Sequence, residues 1–173
     1  KIIPCYYKKD YPEWSDRGDG PGAPVAVHLP NSPVIATGKR DGSKIRLPNG
    51  NYLEETASYY VMIETKTGGY TPALITMKST QLNVSKKWNS MMKTIQIPDG
   101  KGGFAIPPMH GVVYNLASTL QKNDKGSWYG WVVTQDRILG QEDKALYLSA
   151  KDFSGNVSKG TVQTKADVEE KVS

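Results

Sequence analysis

The stretch Asn123-Asp124-Lys125-Gly126-Ser127-Trp128-Tyr129-Gly130-Trp131 constrains the fold more than any other part of the chain. Asn and Asp tolerate tight backbone geometry and Gly supplies positive φ without steric cost, so the first four residues read as a turn. Apolar residues flank it at 112–116 and again at Val132 and Val133. The stretch therefore predicts a β-hairpin whose returning strand opens with three aromatics in four residues. Alternation puts Trp128 and Gly130 on one face of that strand and Tyr129 and Trp131 on the other. One face can enter a core while the other offers flat rings to a partner.

The remaining elements follow from hydrophobic period and turn chemistry. Ile2, Ile3, Tyr6, Tyr7, Tyr11 and Trp14 mark residues 1–14 as a first strand of high β propensity. Residues 15–50 are rich in Gly, Pro, Asn and Asp and read as one long loop or a pair of loops. Within it the local cluster at 39–46 carries Lys39, Arg40, Lys44 and Arg46 against Asp41 alone, so the excursion can serve as a basic arm over a groove or be a plain solvated loop. The turn at Pro48-Asn49-Gly50-Asn51 leads into a second strand centred on residues 59–63. Thr67-Gly68-Gly69-Tyr70 then turns the chain back into a third strand at 73–77.

Val84, Trp88, Met91, Met92 and Ile95 recur at 3.6-residue spacing after a Ser79 or Thr80 cap, which predicts a helix with Lys86, Asn89, Ser90 and Lys93 on its opposite face. A fourth strand is expected at 111–120 and a fifth at 128–137. Leu146, Ala150, Phe153 and Val157 form one stripe of a terminal helix at 142–157. The polar residues 159–173 are expected to be a mobile tail. The division is a body at 1–140, a helix at 141–158 and the tail.

No βαβ rhythm appears, which argues against a parallel sheet. The expected fold is mainly β: a five-stranded OB-fold-like barrel with a helix between strands three and four, followed by a C-terminal helix. An SH3-like barrel and a β-sandwich are the competing layouts.

A net charge of +5 favours a polyanionic partner. Residues 141–173 hold 5 Lys against 6 Asp and Glu, so the positive excess lies in the body. With one cysteine, Cys5, the chain can build neither an internal disulfide nor a Cys-rich metal site, and a reducing compartment is the expectation. No apolar run approaches the roughly 20 residues needed to span a bilayer, and no membrane association is expected. The chain begins at Lys1 in a strand-like segment, and a preceding segment is expected.

Sequence-independent binding of single strands needs cations that track phosphates and aromatic faces on which bases stack. The chain has 10 Tyr and 4 Trp against 2 Phe, a set biased to rings with a polar handle that suit half-exposed positions. The stacking candidates are Trp128, Tyr129, Trp131, Tyr59 and Tyr60, with alternation allowing about half of them to face a groove. The phosphate candidates are Lys78, Lys86, Lys87 and Lys93, with Arg40 and Arg46 behind them. The bland alternative is a core of strand-forming aromatics beneath solvated lysines.

Enzyme chemistry has weaker support. Glu64-Thr65-Lys66 has the Glu-x-Lys spacing of metal-dependent nucleases, without a placed partner carboxylate. His28 and His110 stand apart from any triad or zinc pattern, and no phosphate-binding glycine motif is present. No catalytic residue, metal or cofactor is assigned. A β module that binds another protein through the aromatic hairpin is the main alternative, since Tyr and Trp are also interface anchors.

The segments Lys78-Ser79-Thr80-Gln81-Leu82, Lys86-Lys87-Trp88-Asn89-Ser90-Met91-Met92 and 123–131 resemble segments of a tailed-phage protein family associated with single-stranded DNA binding in replication or recombination. The resemblance runs from Pro12 to about Leu148. The layout is also similar to that of the T7-type phage single-stranded DNA-binding proteins, which are OB-folds with an acidic tail. This tail departs from theirs, because Lys165 and Lys171 interrupt its acids and it ends Val172-Ser173 without an aromatic. The resemblance implies single-stranded DNA as ligand, phage replication or recombination proteins as partners, and the cytoplasm of an infected bacterial host as the location. A virion or host-interaction role is the alternative within it, and self-association is left open.

Overall fold

The computed structural model describes residues 1–16, 22–124 and 126–162. In chain order its elements begin with β1 (Ile2–Trp14), β2 (Ala26–His28), α1 (Pro33–Thr37), β3 (Lys39–Asp41), β4 (Lys44–Arg46) and β5 (Tyr52–Glu54). They continue with β6 (Thr56–Glu64), β7 (Tyr70–Lys78), a 3-10 turn at Ser79–Gln81 and α2 (Leu82–Thr94). The two-residue strands β8 (Ile97–Pro98) and β9 (Phe104–Ala105) lead to β10 (Val112–Asn123), β11 (Gly126–Ile138) and α3 (Lys144–Ser158).

The fold is mainly β. Its main sheet runs β7-β6-β1-β10-β11, antiparallel throughout. These are the five strands expected from the sequence, in the order third, second, first, fourth, fifth. Strand β1 pairs with β6 from Ile2 opposite Ile63 to Asp10 opposite Thr56, with a bulge between Pro4 and Tyr6 that bends it. Among the described residues β7 and β11 do not pair with each other, so the sheet curls into a half-barrel instead of closing. Helix α2 contacts β6, β7 and β11 and so covers the opening. This is the OB-like arrangement of a helix between the third and fourth strands.

The two faces of the sheet carry separate cores. Ala57, Tyr59 and Val61 of β6 alternate toward α2 and pack with Ile2, Met77, Trp88 and Tyr114. Ile3, Cys5, Met62 and Val113 face the other way, against Ala150, Leu146 and Phe153 of α3. The Leu146, Ala150, Phe153, Val157 stripe thus buries itself as its spacing requires. Burying a large apolar side chain is worth about 1.5–3 kcal/mol, so these two layers are what hold both helices to the sheet.

Residues 15–50 are only partly the loop expected. The far end of β1 pairs with β2 and β5, and β5-β4-β3 continue as a small antiparallel sheet. Tyr11, Ile45, Leu47 and Leu53 give it a core, closed by Val34 and Ile35 of α1. Strands of three residues are too short to show alternation, so the Gly and Pro around them dominate the sequence pattern. Gly38 is required there, because a Cβ would overlap Ile45 and lie 3.0 Å from the Arg46 carbonyl oxygen.

Glu13 anchors the same region from the inside. Its carboxylate is 7% exposed and accepts hydrogen bonds from Asn51 Nδ2 at 2.6 Å and Asn49 Nδ2 at 3.1 Å, with His28 Nε2 at 2.7 Å. A buried carboxylate demands such partners. The contacts join β1 to β2 and to the turn before β5. The expected mobile tail lies mostly outside the described residues, as does Lys125 of the hairpin turn.

Candidate nucleic-acid interface

Helix α2 is fixed by one residue above all. Trp88 stacks on Tyr59 with ring centroids 4.3 Å apart and sets its edge against Tyr114 at 5.6 Å. The Tyr59 hydroxyl sits 2.7 Å from Ser85 Oγ and donates to the Ser85 carbonyl at 3.2 Å, which locks the helix in rotation as well as position. With this stripe inward, Lys86, Lys87, Ser90 and Lys93 face solvent. Among the described residues no carboxylate makes an ion pair with Lys86, Lys87 or Lys93.

The hairpin meets this helix at its start. Gln81 Oε1 accepts a hydrogen bond from the Trp131 backbone N–H at 3.0 Å. Between hairpin and helix lies a cleft of about 210 Å³ whose lining includes Val84, Lys87, Trp88 and Met91 of α2 and Gln121 and Trp131 of the hairpin. Trp131 is 36% exposed there. An indole and a solvated ammonium group therefore border the same concave surface, the pairing that a base and its phosphate require.

Beyond the cleft the hairpin projects as an arm. Leu120 and Tyr129 are opposite each other in register and are 61% and 73% exposed. Along β11 Tyr129 and Trp131 are exposed, Trp128 is half-buried and Gly130 is buried, which is the alternation expected of the strand. Trp128 instead borders a second small cleft with Thr80, Asn123 and Ser127. Its ring is a wall, with Nε1 turned inward.

Two of the five stacking candidates are core residues and offer no face to a base. Tyr59 is fully buried beneath α2, and burial pushes its hydroxyl pKa up to about 12. Tyr60 is buried on the opposite face of β6, edge-on to Tyr6 with centroids 6.1 Å apart. The reason is topological: β6 lies between β1 and β7, with α2 on one face and α3 on the other, so both sides of its alternation are covered.

The cation candidates also divide. Lys78 pairs with Glu54 at 3.0 Å, and Arg46 pairs with Asp16 at 2.7 Å and Asp41 at 3.3 Å while lying over the Tyr52 ring. These hydrogen bonds, Asp16 first, hold the Arg46 guanidinium pKa above its ordinary value. Arg40 is exposed on β3, in the small sheet. Three cations thus stand on the helix with no acidic partner among the described residues, and two others are already neutralised.

Gln121, Val84 and Met91 line the cleft and Gln81 bonds to the Trp131 backbone beside it, none of them a site residue expected from the sequence. Glutamine carries no motif, and Val84 and Met91 read as core positions of an amphipathic helix. Glu64 lies 3.6 Å from the Lys1 backbone nitrogen, and Lys66 is exposed nearby. Among the described residues no group of three or more His, Cys, Asp or Glu side chains gathers as a metal site. Among them, too, no helix is long and apolar enough to cross a membrane.

No curated protein and no solved structure matches the chain. The model of one phage protein family, described as Pam3 phage gp34-like protein, matches residues 1–163. With that span covering every described element from β1 to α3, the chain belongs to the Pam3 phage gp34-like protein family.

Proposed function

We propose that this phage protein binds single-stranded DNA without sequence preference, in phage replication or recombination within the infected host cell. The observation that carries the reading is that Trp131 and Lys87 border one cleft between β11 and α2. A base stacks on the indole while the ammonium group neutralises its phosphate, and Lys86 and Lys93 extend the cationic surface along the helix. Tyr129 on the projecting arm adds a second ring. Stacking and charge attraction recognise features common to all nucleotides, which is why no base-specific contact is required. The test is quenching of tryptophan fluorescence by oligo-dT at increasing salt. Quenching that weakens steeply with salt supports the reading, and the absence of quenching at low salt contradicts it.

A second reading rests on Leu120 and Tyr129, apolar side chains exposed side by side on the arm. They suit a protein partner equally well, since Tyr anchors protein interfaces. Binding of that kind is governed by apolar contact and is far less sensitive to salt.

A further inference from the structure

We propose that a second pocket, on the opposite flank of α2 from the Trp131 cleft, receives a further nucleobase of the same single strand, so that the strand crosses the helix. The proposal rests on the single-strand reading above. The pocket has a volume of about 460 Å³, and its lining includes Tyr7, Asn89, Met92, Lys93, Ile106 and Pro107. Pockets for small ligands run from roughly 300 to 1,000 Å³ and combine apolar walls with a few polar groups, which describes this one. Met92, Ile106 and Pro107 supply flat apolar contact for a base. Asn89 supplies an amide able to donate and accept at a base edge, and Lys93 supplies a cation for the adjoining phosphate.

Three observations tie the two pockets into one path. First, both are bordered by the same helix, with Lys87 at one and Lys93 at the other, and exposed Lys86 and Ser90 on the surface of that helix. Second, the aromatic chain that fixes α2 ends at both pockets. Tyr7 packs on Tyr59 with centroids 5.0 Å apart, Tyr59 stacks on Trp88, and Trp88 borders the Trp131 cleft. Third, Ile106 is 59% exposed and Phe104 71%, apolar side chains left open to solvent at the mouth of the second pocket and on the strand beside it. A helix with its side chains is about 10–12 Å across, a span that a few nucleotides cover. The buried Tyr59 thus acts at neither site directly but holds the spacing between them.

The two pockets separate by strand length. Fluorescence anisotropy is measured with labelled oligo-dT of about 4 and about 16 nucleotides, the range of site sizes for a single OB fold. The proteins compared are wild type, Ile106→Asp and Lys93→Ala, with Leu148→Asp on α3 as a surface control and circular dichroism to confirm folding. The expected result is that Ile106→Asp weakens the long strand roughly tenfold and leaves the short strand and its quenching of Trp fluorescence unchanged, while Lys93→Ala weakens the long strand to a smaller degree and more than it weakens the short one. If Ile106→Asp binds both lengths as wild type does, the second pocket is overturned while the Trp131 site stands. If wild type binds neither length, the single-strand reading fails and this proposal with it.

Discussion

Tyr59 and Trp88 stack with ring centroids 4.3 Å apart and ring planes inclined by 26°, and through this contact the second strand of the half-barrel sets the position of the helix that covers its opening. Lys87 is the neighbour of Trp88, so whatever fixes the indole also fixes the backbone from which the Lys87 side chain reaches the cleft that Trp131 borders. Trp88→Ala removes one of the largest fully buried side chains, and a loss of about 3–5 kcal/mol is expected. Tyr59→Phe keeps the stack and removes only the hydroxyl that meets Ser85, with a loss of about 0.5–1.5 kcal/mol. Urea unfolding midpoints of the two variants should differ accordingly. Equal midpoints would show that the stack is not what holds α2.

Acid should weaken the small sheet through Glu13. Hydrogen bonds from Asn51 and His28 hold its carboxyl pKa below the ordinary value. A group whose folded pKa is lowered contributes stability that is present above the unfolded value, about 4.3 for Glu, and is lost as pH falls through the folded value. Glu13→Gln should therefore lose roughly 1–3 kcal/mol at pH 7 and converge on wild type in strong acid. Urea midpoints measured at pH 7 and below about pH 4 check this. A deficit that stays the same at both pH values contradicts it.

The cations should not contribute equally to binding. A phosphate contact on a single strand contributes about 0.7 to the slope of log affinity against log salt. Lys87→Ala should lower that slope by about this amount. Lys78→Ala and Arg46→Ala should leave it close to wild type, because each side chain is already committed to a carboxylate on the protein. A larger effect at Lys78 or Arg46 than at Lys87 would move the phosphate path to the β4-β5 side of the molecule.

Gly38→Ala tests the packing of the 15–50 region. The new methyl would overlap Ile45 and approach Leu47 Cδ2 at 3.3 Å, both core members of the small sheet. Overpacking of this kind costs about 1–3 kcal/mol, and a fall in Tm of several degrees is expected by calorimetry. An unchanged Tm would mean that the β3-β4 hairpin shifts freely.

Much of this architecture could be read from the chain because its signals are local. The turn at Asn123-Asp124, the 3.6-residue recurrence of Val84, Trp88 and Met91, and the stripe from Leu146 to Val157 each depend on neighbours in sequence. The division of Trp128 and Gly130 from Tyr129 and Trp131 followed from alternation, which left open which face is buried. What could not be read depends on which elements lie above a strand. Tyr59 and Trp131 are both strand aromatics, yet one is sealed under α2 and the other borders a cleft, and only topology distinguishes them. The commitment of Arg46 to Asp16 and of Lys78 to Glu54 likewise joins residues that nothing in the sequence pairs. The Glu13 cluster escaped for the same reason, because its donors come from two separate segments, β2 and the turn that holds Asn49 and Asn51.

The most direct measurement is a double-mutant cycle on Trp131 and Lys87, reading the affinity of wild type, Trp131→Ala, Lys87→Ala and the double variant for oligo-dT at low salt. If indole and ammonium group hold one nucleotide between them, each single change weakens binding and the double change costs clearly less than the two singles combined. Single variants that bind as tightly as wild type would place the interface elsewhere, and a wild-type protein that does not bind oligo-dT at all would contradict the single-strand function itself.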